Sequence, residues 1–171
     1  KNHHIYDLAS LTKITATLPL IIEAIGEEDF KLDSNLSDLI PELKNTNKAD
    51  LTVKAVLSHH AGLMPWIPFF EKTLDRKKKP KRKYYRNNKK GSYNIEVTDK
   101  LFLKKSFKKE MKKFIIESPL MDSINYKYSD LPFYLFKDYF ERKNKKSLDI
   151  QVSNKFYNPL GLKRTLYNPR N

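Results

Sequence analysis

A mainly helical fold with very little strand is what this sequence predicts. Apolar residues recur at spacings of three and four in several windows, alternation of period two is weak and confined to one stretch, and no internal repeat is present. The 171 residues are 39% hydrophobic and 12% aromatic, enough for one compact domain with a core.

In order, residues 9–25 read as the first helix, with Leu11, Ile14, Leu18, Ile21, Ile22 and Ile25 along one stripe. Asp7 and Ser10 suit its start and Gly26 its end. Pro19 should kink it or deprive one carbonyl of its partner. Residues 51–57 read as a second, short helix, opened by Thr52 and followed by Gly62. Residues 93–103 alternate weakly and hold at most a short strand. Residues 107–116 form an amphipathic helix with lysines on the wet side, and residues 131–140 and 148–156 form two more. Asn158-Pro159-Leu160-Gly161 stops the last of these, since proline cannot extend a helix and glycine permits the turn.

Composition narrows the chemistry. No cysteine is present, so disulfides, thiol catalysis and cysteine-held metals are excluded. The apolar run 14–25 contains Pro19 and Glu23 and is too short to span a bilayer. No secretory signal opens the segment, so any export signal would lie outside it. The formal charge is +14, but it is not spread evenly. Residues 72–113 hold 18 of the 34 Lys and Arg and 4 of the 20 Asp and Glu, whereas the remainder has 16 of each. A neutral body thus carries a basic insertion. Its core, Arg76-Lys77-Lys78-Lys79-Pro80-Lys81-Arg82-Lys83, cannot bury a face and repels itself, which marks residues 71–94 as a flexible loop.

Ser10-Leu11-Thr12-Lys13 places a hydroxyl and an amine one helical turn apart on one face. A neutral amine there can take the serine proton, and burial and the positive helix end both push a lysine toward neutrality. The backbone N–H of Ser10 is a candidate oxyanion donor. Alone, Ser-x-x-Lys is common by chance; its surroundings give it meaning. Tyr6-Asp7-Leu8-Ala9-Ser10-Leu11-Thr12-Lys13, Lys31-Leu32-Asp33, Leu51-Thr52-Val53-Lys54-Ala55-Val56-Leu57-Ser58-His59-His60-Ala61-Gly62-Leu63, Tyr128-Ser129-Asp130 and Asn158-Pro159-Leu160-Gly161-Leu162 fall in a set order. Together they resemble the serine β-lactamase and penicillin-binding-protein superfamily, in its class C-related esterase and DD-peptidase group. With Ile115-Ile116-Glu117-Ser118-Pro119-Leu120, the narrower likeness is to β-lactamase-like domains fused to family 3 glycoside hydrolases in Bacteroidetes.

The resemblance implies Ser10 as nucleophile, Lys13 as its base, Tyr128 as an assisting phenol or phenolate, and Asp130 in the substrate-binding position, with no metal and no cofactor. It implies an acyl-enzyme, a small-molecule or cell-wall-related acyl substrate and a periplasmic or cell-envelope location. Taken without it, Tyr128 reads as a core-edge tyrosine among Tyr126, Phe133, Tyr134 and Tyr139. Two departures matter. Asp130 stands where many relatives have Asn; ionised Asp only accepts hydrogen bonds and favours a charged Lys13, which moves the expectation from β-lactams and peptides toward esters or no turnover. The third family element, Lys or His followed by Ser/Thr-Gly on a strand, does not occur before Asn171, nor do strands precede Ser10. The expectation is the helical half of an α/β fold with its flanking strands largely missing: a partial domain over 1–171, inactive or nearly so alone.

Two other features have functional readings. His59-His60 with His3-His4 could suggest a metal site, but adjacent residues point apart and no carboxylate pattern accompanies them, which favours structural or surface histidines. Tyr84, Tyr85 and Tyr93 among the lysines resemble the stacking platforms of single-strand nucleic-acid binders. A solvated insertion, or contact with anionic polymers of the cell envelope, fits better, because no nucleic-acid-binding fold surrounds them. The alternatives to an enzyme are a non-catalytic accessory module of the same fold and a basic nucleic-acid-binding protein.

Overall fold

The structure is a computed structural model that describes residues 4–26, 30–122 and 125–167; His3 lies outside them. It is mainly helical, with one small open three-stranded sheet among the described residues, as the periodicities predict.

The first predicted helix is continuous but changes geometry twice. Asp7 Oδ1 accepts the Ala9 amide at 2.8 Å, and Ala9 takes a left-handed φ of 42° that turns the chain into a 3₁₀ turn, Ala9–Leu11. A π-helical turn, Lys13–Thr17, follows, and then helix α1, Leu18–Gly26. Pro19 accounts for the wide turn: its ring crowds the carbonyl of Thr15 four residues back and offers it no N–H. The Tyr157 hydroxyl donates to that carbonyl at 2.9 Å instead. Counted from Ala9, the helical run is 18 residues, longer than the apolar core read from the sequence and enough by length and composition to cross a membrane. Its packing is that of a core helix. Ala16, Thr17, Leu20, Ile21 and Ala24 are buried in the protein, and Glu23 pairs with Lys155 at 2.5 Å.

Short helices α2 (Leu36–Leu39) and α3 (Val53–Leu57) follow. Thr52 caps α3, its Oγ1 accepting from the Ala55 amide at 3.2 Å, as its sequence position predicts. Helix α4 is Phe69–Lys72. Helices α5 (Phe107–Glu117), α6 (Leu131–Asn144) and α7 (Leu148–Val152) complete the body, with a second π turn, Ser153–Tyr157, after α7. The core runs through α1, α3 and α6. Phe30 is fully buried and meets Phe136, Tyr139 and Phe140 with ring centroids 5.7–6.0 Å apart.

Two polar devices lock the body. Lys48 is fully buried, and its Nζ donates to Asn47 Oδ1 (2.8 Å), Ile116 O (3.0 Å) and Ser118 O (2.5 Å). Burial pulls its pKa down to about 8, so the ammonium persists at neutral pH, and its three N–H bonds match three acceptors, two of them at the end of α5. At the surface, Lys112 reaches Glu42 and Asp138, both at 2.6 Å, and Arg142 joins the same two carboxylates at 3.2 Å. Burial alone would raise Glu42, but Lys112 and Arg142 outweigh it and hold its pKa below the usual value.

The basic segment carries the sheet. Strands β1 (Tyr85–Arg86), β2 (Tyr93–Thr98) and β3 (Leu101–Lys104) pair antiparallel in the order β1-β3-β2, with Tyr85 opposite Leu103 and Tyr93 opposite Lys104. Thr73 and Tyr84 are buried anchors within this charged stretch.

Candidate active site

Ser10 is exposed at the start of the helical run, and its Oγ accepts a hydrogen bond from Lys13 Nζ at 3.2 Å. The same ammonium lies 2.6 Å from Asp130 Oδ1, in the geometry of an ion pair rather than an aligned hydrogen bond. It also sits over two rings, 4.9 Å from the centroid of Tyr128 and 5.3 Å from that of Phe133. Ser10, Tyr128 and Asp130 therefore converge on the Lys13 nitrogen, and all four residues were picked from the sequence.

The loop before α6 is held to the loop after α3 by four hydrogen bonds. Lys127 N donates to His59 O (2.8 Å), Ser129 N to His59 Nδ1 (3.2 Å), Ser129 Oγ to Met64 O (2.7 Å) and Asp130 N to Pro65 O (2.8 Å). Met121 N donates to Gly62 O at 2.7 Å on the other side of the turn, where Gly62 takes φ 64° without steric cost. Asp130 and Tyr128 are thus presented to Lys13 by a fixed strap.

Two opposite influences on Lys13 were expected, and that of Asp130 prevails. Burial does lower the Lys13 pKa, but Asp130 and then Tyr128 outweigh it, and the net shift is upward. Lys13 rests as a cation donating to Ser10 rather than as a neutral base. The carboxylate opposes the base role in the direction its charge predicts.

His59 is the residue whose place the sequence reading missed. Its ring centroid is 4.7 Å from that of Tyr128 and 5.9 Å from that of Tyr126, and it holds the strap through Ser129. Burial, with a smaller contribution from Lys13, lowers its pKa, which keeps Nδ1 able to accept. Its φ of 60° is what turns it inward, and the helical periodicity of α3 gives no sign of that reversal. His60 turns elsewhere, its Nδ1 2.7 Å from Ser58 O. Phe133, read as helix packing, also faces the lysine. Among the described residues, no cluster of three or more His, Cys, Asp or Glu could hold a metal ion.

The family profile named Beta-lactamase matches residues 1–171. The chain belongs to the β-lactamase family. A curated relative of this β-lactamase-family chain is an N-acetylmuramyl-L-alanine amidase of Bacillus subtilis, 26% identical over 177 residues, covering 99% of the chain and 34% of the relative. In structure it is similar to a β-lactamase-type protein from Bacteroides dorei (TM-score 0.57, 15% identity, 90% of this chain and 38% of that one). It is also similar to a class C β-lactamase from Rhodobacter sphaeroides (TM-score 0.55, 18% identity, 90% and 34%). At these identities the structural likeness speaks for the fold alone. The β-lactamase-family chain spans about a third of the length of each of these relatives.

Proposed function

We propose that this chain supplies the nucleophile half of a serine hydrolase, with Ser10 as the acylated residue, Lys13 as its base, Tyr128 as an assisting phenol and Asp130 facing the substrate. The observation that carries the reading is the 3.2 Å contact between Ser10 Oγ and a lysine Nζ that Asp130 and Tyr128 also contact. In the proposed step, Ser10 Oγ bonds to a carbonyl carbon while its proton passes to the neutral form of Lys13. The bond to the leaving group then breaks, the leaving group takes that proton, and water later releases the acyl group from Ser10. Because Asp130 stabilises the ammonium, the neutral form is scarce at pH 7, and acylation should quicken as pH rises.

The substrate class follows from position 130. A carboxylate cannot donate to a substrate amide carbonyl, so an ester fits better than a β-lactam. The name of the Bacillus relative favours a second class, a cell-wall-derived amide, and with it a periplasmic or envelope location. The motif likeness favours the class C-related esterase and DD-peptidase group and the domains fused to family 3 glycoside hydrolases. The same Lys13–Asp130 pair also supports a non-catalytic accessory module of this fold, since a locked cation is a poor base. An activated fluorophosphonate separates the two readings when applied to the full-length protein. Labelling that Ser10→Ala abolishes supports the hydrolase, whereas labelling that survives the substitution, or none up to pH 10, leaves the accessory module.

A further inference from the structure

The excess charge of the chain is concentrated on the segment that builds the small sheet, and several of its cations are held in place. Tyr93 is the hub. Its hydroxyl donates to Lys83 O at 3.1 Å, and its backbone exchanges hydrogen bonds with Lys90 at 3.0 and 3.1 Å. Arg86 lies over its ring with Cζ 4.2 Å from the centroid, and Lys104 Nζ is 6.0 Å from the same centroid. The Arg86 guanidinium is fixed further by donating through Nη1 to Arg82 O and Tyr85 O. Lys104 N donates to Tyr84 O and Lys105 N to Ser92 O, which draws the ends of the segment together. Cations whose backbone and side chains are already ordered lose less entropy on meeting an anion than cations on a floppy tail.

The structure also indicates the class of anion. The tyrosines that could have stacked nucleobases are engaged elsewhere. Tyr84 is buried edge-on against Phe107, with its hydroxyl 3.0 Å from Glu110 Oε2, Tyr85 OH is 2.8 Å from Thr73 Oγ1, and Tyr93 is covered by Arg86. Base stacking needs an open ring face. Insertion into a lipid surface needs apolar side chains beside the cations, and Val97 is the only large exposed one between residues 72 and 113. What remains is recognition of charge spaced along a chain.

We propose that the surface around Tyr93, with Lys83, Arg86, Lys90, Lys104 and Lys105, docks a linear polyanion through the polymer's backbone charges. The proposal does not depend on the catalytic reading, because none of these residues belongs to the site at Ser10.

The test is equilibrium binding of inorganic polyphosphate to the full-length protein across a salt series. Affinity should fall linearly with salt on logarithmic axes. Replacing Lys83, Arg86, Lys104 and Lys105 by Gln should weaken binding about tenfold or more and reduce the slope by about three. Removing the same charge elsewhere, with Lys31, Lys44, Lys54 and Lys145 replaced by Gln, should change neither by more than about twofold. Should the first variant fail to unfold cooperatively, the exposed pair Lys83→Gln and Lys105→Gln carries the same test, with about half the change in slope. Equal losses in cluster and control variants, or binding indifferent to salt, overturn the proposal. So does tighter binding of an oligodeoxythymidine of equal charge, which indicates nucleic acid, or of phosphatidylglycerol vesicles, which indicates a membrane.

Discussion

The Tyr157 hydroxyl donates to the Thr15 carbonyl at 2.9 Å and so joins the two π-helical turns of the molecule. The carbonyl is the one that Pro19, lacking an N–H, leaves without its α-helical donor. Tyr157→Phe should cost about 1 kcal/mol by urea unfolding. In a Pro19→Ala background the restored amide competes for the carbonyl, and the same change should cost less. A double-mutant cycle with no coupling would show that Tyr157 does not replace the missing amide.

Asp130→Asn removes the carboxylate that holds the Lys13 proton. Burial then dominates, and the Lys13 pKa falls. If Lys13 is the base, the alkaline rise in the rate of Ser10 labelling should move to lower pH in the variant. An unmoved profile would exclude Lys13 as the base. The stability side has the opposite sense. A raised lysine pKa contributes stability below the unfolded value, and that stability is lost as pH climbs through the folded one, so Asp130→Asn should lower stability at pH 7 and matter progressively less as pH rises past the ordinary lysine value.

His59 must be neutral at Nδ1 to accept from Ser129, and its pKa is lowered. A depressed value stabilises the fold above the ordinary histidine pKa and ceases to do so as pH falls through the folded one. The hydrogen-exchange protection of the Ser129 amide should therefore drop as pH falls below about 6.5 and through the folded value. In His59→Asn, which keeps an acceptor and tolerates positive φ, protection should be flat across that range. Flat protection in the unsubstituted protein would show that the bond does not hold the strap.

Lys48→Met removes the donor to Asn47 Oδ1, Ile116 O and Ser118 O, of which the buried Ser118 O keeps only the Asn47 amide, and a loss of roughly 1–3 kcal/mol is expected at pH 7. Because the folded pKa is about 8, below the ordinary lysine value, the unfolded chain binds more protons between the two. The stability gap over the methionine variant should therefore widen as pH rises through that window. Urea titrations at pH 7 and pH 10 measure both effects.

Much of this was legible because periodicity and capping are local. The wet lysines of α5, the Thr52 cap and the stop near Gly161 follow from residues a few positions apart. Ser10 and Lys13 were legible as a pair for the same reason, one turn of helix. That Asp130 favours a charged Lys13 followed only from the family resemblance, because Asp130 lies 117 positions away and its distance is set by the strap through His59 and Pro65. For the same reason, the partners of the tyrosines in the basic segment were not legible. Phe107 and Glu110 engage Tyr84, and Thr73 engages Tyr85, through contacts that no local pattern encodes.

The π turn at Lys13–Thr17 has a consequence for phase. It takes up one residue more than an α turn would, and each residue advances a helix by about 100°. Deleting a single residue there would remove that extra advance, although Pro19 would still withhold its amide from the helix. It would also swing Ser10 about a quarter to a third of the way around the axis relative to Leu20, Ile21 and Ala24, away from Asp130 and Tyr128. Substitutions in this stretch change the site by degrees; a frame-preserving deletion would misalign it in one step.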